Sequence, residues 1–219
     1  MVCWKAKAKQ QFDAWSSSYD ASILQRWFFG PSHAKLLAAC AVPDRARVLD
    51  IGCGTGLFAR KLLTTHPTAT VVGLDLSESM LDRARVNCSD VSDRLVLVHG
   101  DSEKLPFADS SFDLVTCIHS FHHYPNHENV LREMHRVSKP NGQVLIIDGD
   151  RDGWLGWLIY DWVVATIEGA VHHCSASEFC DLLGRTGFHQ VGQERCGLVP
   201  LLLTHARALK PAVRLRIAA

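Results

Sequence analysis

The stretch VLDIGCGTGLF, residues 48–58, constrains this chain more than any other. A short apolar run meets three glycines within five residues, and helical spacing follows, with Leu57, Phe58, Leu62 and Leu63 on one side. That order reads as a buried strand, a glycine turn and a helix. Glycine has no Cβ, so a ligand can lie against the main chain of such a turn. The spacing sorts the ligands. A dinucleotide fingerprint, G-x-G-x-x-G, needs its third glycine five residues after the first. Here Gly52, Cys53, Gly54, Thr55 and Gly56 make G-x-G-x-G, and Leu57 holds the place of that glycine. A Walker loop needs Lys followed by Ser or Thr directly after its last glycine, and Lys61 comes too late. Asp50 sets a carboxylate just before the turn. It would repel a pyrophosphate and suit an ammonium. The turn therefore favours an amino-acid-bearing nucleoside.

Strand-like and helix-like runs alternate after residue 47. Strands are expected at 48–51, 70–75, 95–101, 112–120 and 142–150. Helices are expected at 57–66, at 77–88 behind the cap residue Ser77, and at 128–139, ended by Pro140-Asn141-Gly142. Strands joined by helices imply a parallel sheet with right-handed crossovers. Such sheets bind ligands beyond the carboxyl ends of their strands, at residues 52–56, 75–80, 100–107, 118–124 and 148–157. A mostly helical stretch, 154–187, follows as a lid or insert, then two apolar runs, 189–197 and 198–207, that suit an edge hairpin. Residues 1–46 read as a helical segment ahead of the main domain, 47–210, and residues 211–219 as a frayed end.

Composition excludes several classes of partner. The 23 basic and 23 acidic side chains balance, so no basic face argues for nucleic acid. The Lys5, Lys7, Lys9 alternation reads as a solvated face. The eight cysteines form no C-x-x-C pair and fit no zinc template. Most read as small buried thiols, in a reducing, cytoplasmic setting. No signal peptide and no membrane-spanning run is expected. No sequence feature sets an oligomeric state.

Individual side chains sharpen the picture. Asp75, closing the second strand, suits a pair of ribose hydroxyls, or else a helix cap. Asp101, after the third strand, suits the exocyclic amine of a base such as adenine, or turn chemistry with Gly100. HSFHHYPNH, residues 119–127, follows the fourth strand, where a second substrate would lie. His122 and His123 are the first candidates for a general base, and packing of the loop is the plainer role. His122, His123, His172 and His173, with Cys174, also raise a metal site. Neighbouring histidines on a strand point apart and no acid–helix–His motif supports the idea, so no metal is expected. The rings of WLGWLIYDW (154–162) are expected mostly to pack on the sheet. Their surplus suits an apolar or aromatic acceptor.

Together, VLDIGCGTG, VVGLDLSESML, GDSEKLPFADSSFDLV and HRVSKPNGQVLIID resemble the successive motifs of class I S-adenosylmethionine-dependent methyltransferases. The nearest subset is similar to the small C-methyltransferases of ubiquinone and menaquinone biosynthesis. The resemblance covers residues 10–150 well. It implies an α/β, Rossmann-like, doubly wound sheet of seven strands, mostly parallel with an antiparallel last strand. It implies S-adenosylmethionine as cofactor and a small-molecule acceptor, with no nucleic-acid partner. Gly52, Cys53, Gly54 and Gly56, with Asp50, would meet the methionyl part, Asp75 and Leu76 the ribose and its surroundings, and Met80, Asp101 and Ser102 the adenine. His119 would border the cofactor. FDAWSSSYD resembles the family's N-terminal box, which places Tyr19 over the methionyl end or the substrate entrance. Two alternatives stay open: a dinucleotide-dependent reductase, and a cofactor-binding accessory module without turnover.

Overall fold

The computed structural model describes residues 2–16, 20, 29–169, 171–196 and 200–210. Seven strands form one sheet in the order β3-β2-β1-β4-β5-β7-β6. They are β1 Arg47–Ile51, β2 Thr70–Asp75, β3 Leu95–His99, β4 Phe112–Ile118, β5 Ser138–Gly149, β6 Phe188–Cys196 and β7 Leu201–Ala208. β3, β2, β1, β4 and β5 run parallel, and β7 pairs antiparallel with both β5 and β6. This is the sheet the sequence predicts, including the hairpin at its edge.

The sheet holds because its central strands are apolar on both faces. In β1, Leu49 and Ile51 face one core with Val115, Met134 and Phe179, whereas Val48 faces another with Leu36, Phe58 and Leu62. Fully burying side chains of this size contributes about 1.5–3 kcal/mol each. The helices are α1 Val2–Trp15, α2 Gly30–Ala39, α3 Leu57–Thr65, α4 Glu78–Asn87 and α5 His127–Val137. After β5 come α6 Gly153–Gly156, a π-helical stretch Trp157–Val164, α7 Ala165–Glu168 and α8 Ala176–Arg185. Ser77 caps α4 through the Met80 N–H at 3.1 Å. Asn126 caps α5, and Ser175 with Glu178 forms a capping box on α8.

Several details depart from the sequence reading. The third and fourth strands end two residues before their expected ends, because Gly100-Asp101 and His119-Ser120 turn out of the sheet, with His119 at φ 50°. α5 ends at Val137, and β5 begins at Ser138, ahead of Pro140. The stretch 154–187 divides in two. α8 buries Phe179 and Leu183, while Trp154, Trp157 and Trp162 stand 76%, 56% and 64% exposed. The rings were expected to pack, but i→i+5 bonding in the π-helical turns displaces the 3.6-residue stripe. Tyr160 alone among these four takes the inner side. Among the described residues, no helix is long and apolar enough to cross a membrane, and the described cysteines are free thiols. Cys53, Cys88 and Cys117 are buried, but Cys40, Cys174, Cys180 and Cys196 are only partly so, which corrects the expectation that most would be buried.

Candidate cofactor and acceptor site

Chain order reverses between β1 and β4, and a crevice opens beyond their carboxyl ends, where doubly wound sheets take ligands. The three glycines of the turn have φ of 68°, 51° and 77°, values that L side chains rarely adopt. They serve different ends. A Cβ on Gly52 would collide with Ser120 Oγ and lie 2.9 Å from the Tyr124 hydroxyl. A Cβ on Gly56 would lie 2.8 Å from Cys88 Sγ. Gly54 alone opens onto free space within 4 Å, and it is the one at which a ligand can touch bare main chain.

Asp75 faces the same opening. Its Oδ2 accepts the Gly54 N–H at 2.8 Å and its Oδ1 the Ser77 N–H at 2.9 Å. Burial raises its pKa, and these backbone donors oppose that rise. Each oxygen retains acceptor capacity for a hydroxyl. Asp50 is 3% exposed and bonded to Thr116 Oγ1 at 2.7 Å. Burial, with the Asp75 charge adding to it, pushes Asp50 up to about 7. Such a carboxyl gains from a cationic partner. The crevice has two chambers that meet at Gly52. One runs past Asp75, Leu76, Ser77, Asp101 and Ser102, the other past Asp50, Cys53, Gly54 and Thr55. Cys53 contributes main chain, for its thiol packs toward Gly73.

α1 closes the mouth of the first chamber. Its half-buried side chains, Trp4, Lys5, Ala8, Lys9 and Phe12, recur at helical spacing. Trp4 Nε1 donates to the His123 carbonyl at 3.0 Å, and Lys5 Nζ lies 2.6 Å from Asp101 and 3.1 Å from Glu103. Lys9 holds Asp13, which accepts from Ser77 Oγ at 2.5 Å. Reading Lys5 as solvated was therefore incorrect, since only a helix laid across the sheet brings it to Asp101 and Glu103; Lys9 pairs with Asp13 one turn along α1 itself, and Lys7 stays exposed. Asp101 shows the turn chemistry, its Oδ1 accepting the Glu103 N–H at 3.0 Å, and it also lines the crevice. Asp20, which the sequence reading passed over, ties the N-terminal segment to Thr55 at 2.6 Å and to Asn87 at 2.8 Å. Met80 is buried in α4 and does not line either chamber. His119 meets Phe29 edge-on, with ring centroids 4.9 Å apart. Tyr19 lies outside the described residues.

The histidines gather at the edge of this crevice, whose first chamber His123 lines. His122 and His123 sit on a 3₁₀ turn, Phe121–His123, with ring centroids 4.1 Å apart. A strand would have separated them; the tight turn does not. His122 Nδ1 and Asp148 Oδ1 are 2.5 Å apart, and the other Asp148 oxygen accepts the His122 N–H. Glu168 Oε2 lies 3.4 Å from Nε2 of both His122 and His123. His173 joins them, stacked on His122 at 4.3 Å, whereas His172 stacks on His127 and Cys174 meets His127 Nδ1 at 3.4 Å. Burial works against a charge on His122, but Asp148 and Glu168 outweigh it and hold His122 up at about 10. Burial and the His122 charge keep His123 neutral, far below the usual histidine range. Asp148 is held well below the usual carboxylate range by His122, against its own burial.

The comparisons agree with this geometry. A methyltransferase-domain family model matches residues 49–146. The chain is 40% identical over 111 residues to 27-O-demethylrifamycin SV methyltransferase of Amycolatopsis mediterranei, covering 49% of this chain and 40% of that protein. It is 35% identical over 156 residues to demethylmenaquinone methyltransferase of Listeria welshimeri, covering 69% of this chain and 66% of that protein. Among solved structures, the methyltransferase bound to the Haloferax volcanii Trm112 activator superposes with a TM-score of 0.79 at 23% identity, over 91% of this chain and 98% of its own.

Residues 49–146 are a methyltransferase domain, of the S-adenosylmethionine-dependent family. The chain spans 40% and 66% of the length of the two curated relatives. The cofactor of this family is S-adenosylmethionine, and the site's own features fit it. A cation-seeking carboxyl stands at one end, with bare main chain at Gly54 in the same chamber, and a carboxylate with spare acceptor capacity stands at the other. The methyltransferase fold also explains what sequence reasoning missed. Lys5, Asp13 and Asp20 reach the site only through tertiary packing; for Lys5 the available signal was helical spacing at residues 4, 5, 8, 9 and 12, and for Asp13 and Asp20 it was the FDAWSSSYD box, from which only Tyr19 was taken.

Proposed function

We propose that this chain transfers a methyl group from S-adenosylmethionine to a small apolar or aromatic acceptor that enters beside residues 119–123. The observation that carries the reading is the two-chambered crevice, with Asp75 in one chamber, Asp50 and the open Gly54 main chain in the other, and the two joined at Gly52. Asp75 would take the ribose hydroxyls, Leu76, Asp101 and Ser102 would surround the adenine, with Met80 packed behind them in α4 rather than touching it, and Asp50 with Gly52, Cys53, Gly54 and Gly56 would hold the methionyl part. Tyr19 and His119 would border the reacting end. α1, pinned by Lys5 and Asp13, would act as the cover. The relatives named for a demethylrifamycin and a demethylmenaquinone support a small organic acceptor.

The cofactor's sulfonium supplies an activated methyl and a neutral leaving group. The protein's task is then alignment, which can contribute on the order of 7–11 kcal/mol. A hydroxyl or carbon acceptor must also lose a proton. His122 already carries one against Asp148, so its role is to donate a hydrogen bond and hold an acceptor oxygen. His123 is neutral and is the histidine of the pair with a lone pair to offer. Calorimetry with S-adenosylhomocysteine and with NADH, plus transfer of labelled methyl to a panel of hydroxylated aromatics and quinols, tests the reading. S-adenosylhomocysteine binding, together with turnover, is expected. Tight NADH binding without it would establish a reductase, and binding without turnover across the panel an accessory module.

A further inference from the structure

The ionisable groups at the edge of the cofactor crevice come from separate segments: the turn Phe121–His123, whose His123 lines the first chamber, the end of β5 and the end of α7. We infer that His122, His123 and Glu168 form a binding site for one divalent transition-metal ion of the zinc class. Their ligating atoms all lie within 4.8 Å of one another. Both imidazole Nε2 atoms are 3.4 Å from Glu168 Oε2. That separation is long for an N–H···O bond, which falls at roughly 2.7–3.2 Å. It matches the edge of a tetrahedron with metal–ligand bonds of about 2.0–2.1 Å, which is roughly 3.3–3.4 Å. Glu168 Oε2 is buried and makes no hydrogen bond.

Asp148 supplies the support such a site needs. Its contact with His122 Nδ1 at 2.5 Å keeps a proton on that nitrogen. An arriving metal ion therefore displaces the other proton, from Nε2, releases it to solvent, and takes Nε2 as its ligand in place of the hydrogen bond to an acceptor oxygen. A carboxylate behind a ligating histidine is the usual outer-shell arrangement of zinc sites. Asp148 is itself fixed by the N–H groups of His122 at 3.0 Å and Gly149 at 2.7 Å. With its oxygens so engaged it supports the ligand set rather than joining it, and His173, 3.9 Å from Asp148, stays behind it too. Two imidazoles and one carboxylate suit zinc, iron, cobalt or nickel over magnesium or calcium. Three protein ligands leave a position for water or an acceptor oxygen, whose pKa a bound ion lowers. The site departs from the metal-free expectation of the sequence, which rested on strand geometry for His122 and His123. It concerns a second ligand and stands whether or not methyl transfer is the reaction.

The test uses the full chain, stripped with a chelator and titrated with Co²⁺ and Zn²⁺ in the absence of cofactor and acceptor. One equivalent should bind, with cobalt bands in the visible range and no thiolate charge-transfer band. Glu168→Gln, on a side chain 23% exposed, should weaken binding on the order of tenfold or more, and Asp148→Asn by roughly 10–100-fold. Glu128→Gln, on the exposed face of α5, should change nothing. Circular dichroism checks folding; should Asp148→Asn unfold, Glu168→Gln decides alone. No saturable binding to the folded chain, equal affinity in Glu168→Gln, or a thiolate band would each overturn the site.

Discussion

The cofactor crevice and the histidine cluster both bury carboxylates, and they use burial in opposite ways. At the crevice, Asp50 and Asp75 are both pushed upward, with hydroxyl and backbone donors as partial relief. They are poised for a ligand's charge and hydroxyls. At the cluster, Asp148 is pulled far down because a charged imidazole already answers it. Strain waiting for a ligand marks the first region, and internal pairing marks the second. Burial alone therefore does not identify a binding carboxylate; its partner does.

Substitutions can break that contrast, and the largest effect belongs to the paired side. Asp148→Ala leaves His122 buried without its partner. It should cost about 3–5 kcal/mol of stability in chemical denaturation, whereas Asp75→Ala should cost far less stability. Asp75→Ala should instead weaken S-adenosylhomocysteine binding by about 1–3 kcal/mol in calorimetry. A loss of stability in the second variant equal to the first would erase the distinction.

The pH dependence separates the regions again. An ammonium binds Asp50 only when the carboxyl is ionised, so cofactor affinity should rise with pH toward about 7 and level off above it. The slope should approach tenfold per pH unit, about 1.4 kcal/mol, and vanish in Asp50→Asn. The His122 contribution has the other sign. Its folded pKa of about 10 lies above the ordinary value of 6.5, so its stabilisation is complete below 6.5 and fades as pH climbs to about 10. Thermal denaturation from pH 6 to 10 should show that loss in the parent and a smaller one in His122→Gln. The smallest effect should come from Lys5→Ala at the mouth. A half-exposed pair contributes about 0–1 kcal/mol, so stability should barely move while cofactor release quickens in stopped-flow measurements.

The same contrast explains what was legible in the sequence. Gly52, Gly54 and Asp75 are set by a local strand–turn–helix pattern, and their spacing carried the ligand class. The role of each glycine was not legible, because the neighbours of Gly52 and Gly56, namely Ser120 and Cys88, come from distant segments. His122 and His123 were visible as a pair, yet their direction depends on a 3₁₀ turn that no periodicity announces. Glu168 carried no signal at all. It reaches the histidines only after a π-helical stretch displaces the expected register, which also leaves Trp154, Trp157 and Trp162 outward. Lys5 was misread because a short terminal charge run looks solvated until something acidic is placed opposite it.

The most direct measurement is a crystal structure of the chain soaked with S-adenosylhomocysteine. The account predicts ribose hydroxyls on the Asp75 carboxylate, the amino group beside Asp50, and the ligand's chain passing over Gly54. A ligand bound elsewhere, or density absent from that crevice at saturating concentration, would contradict it.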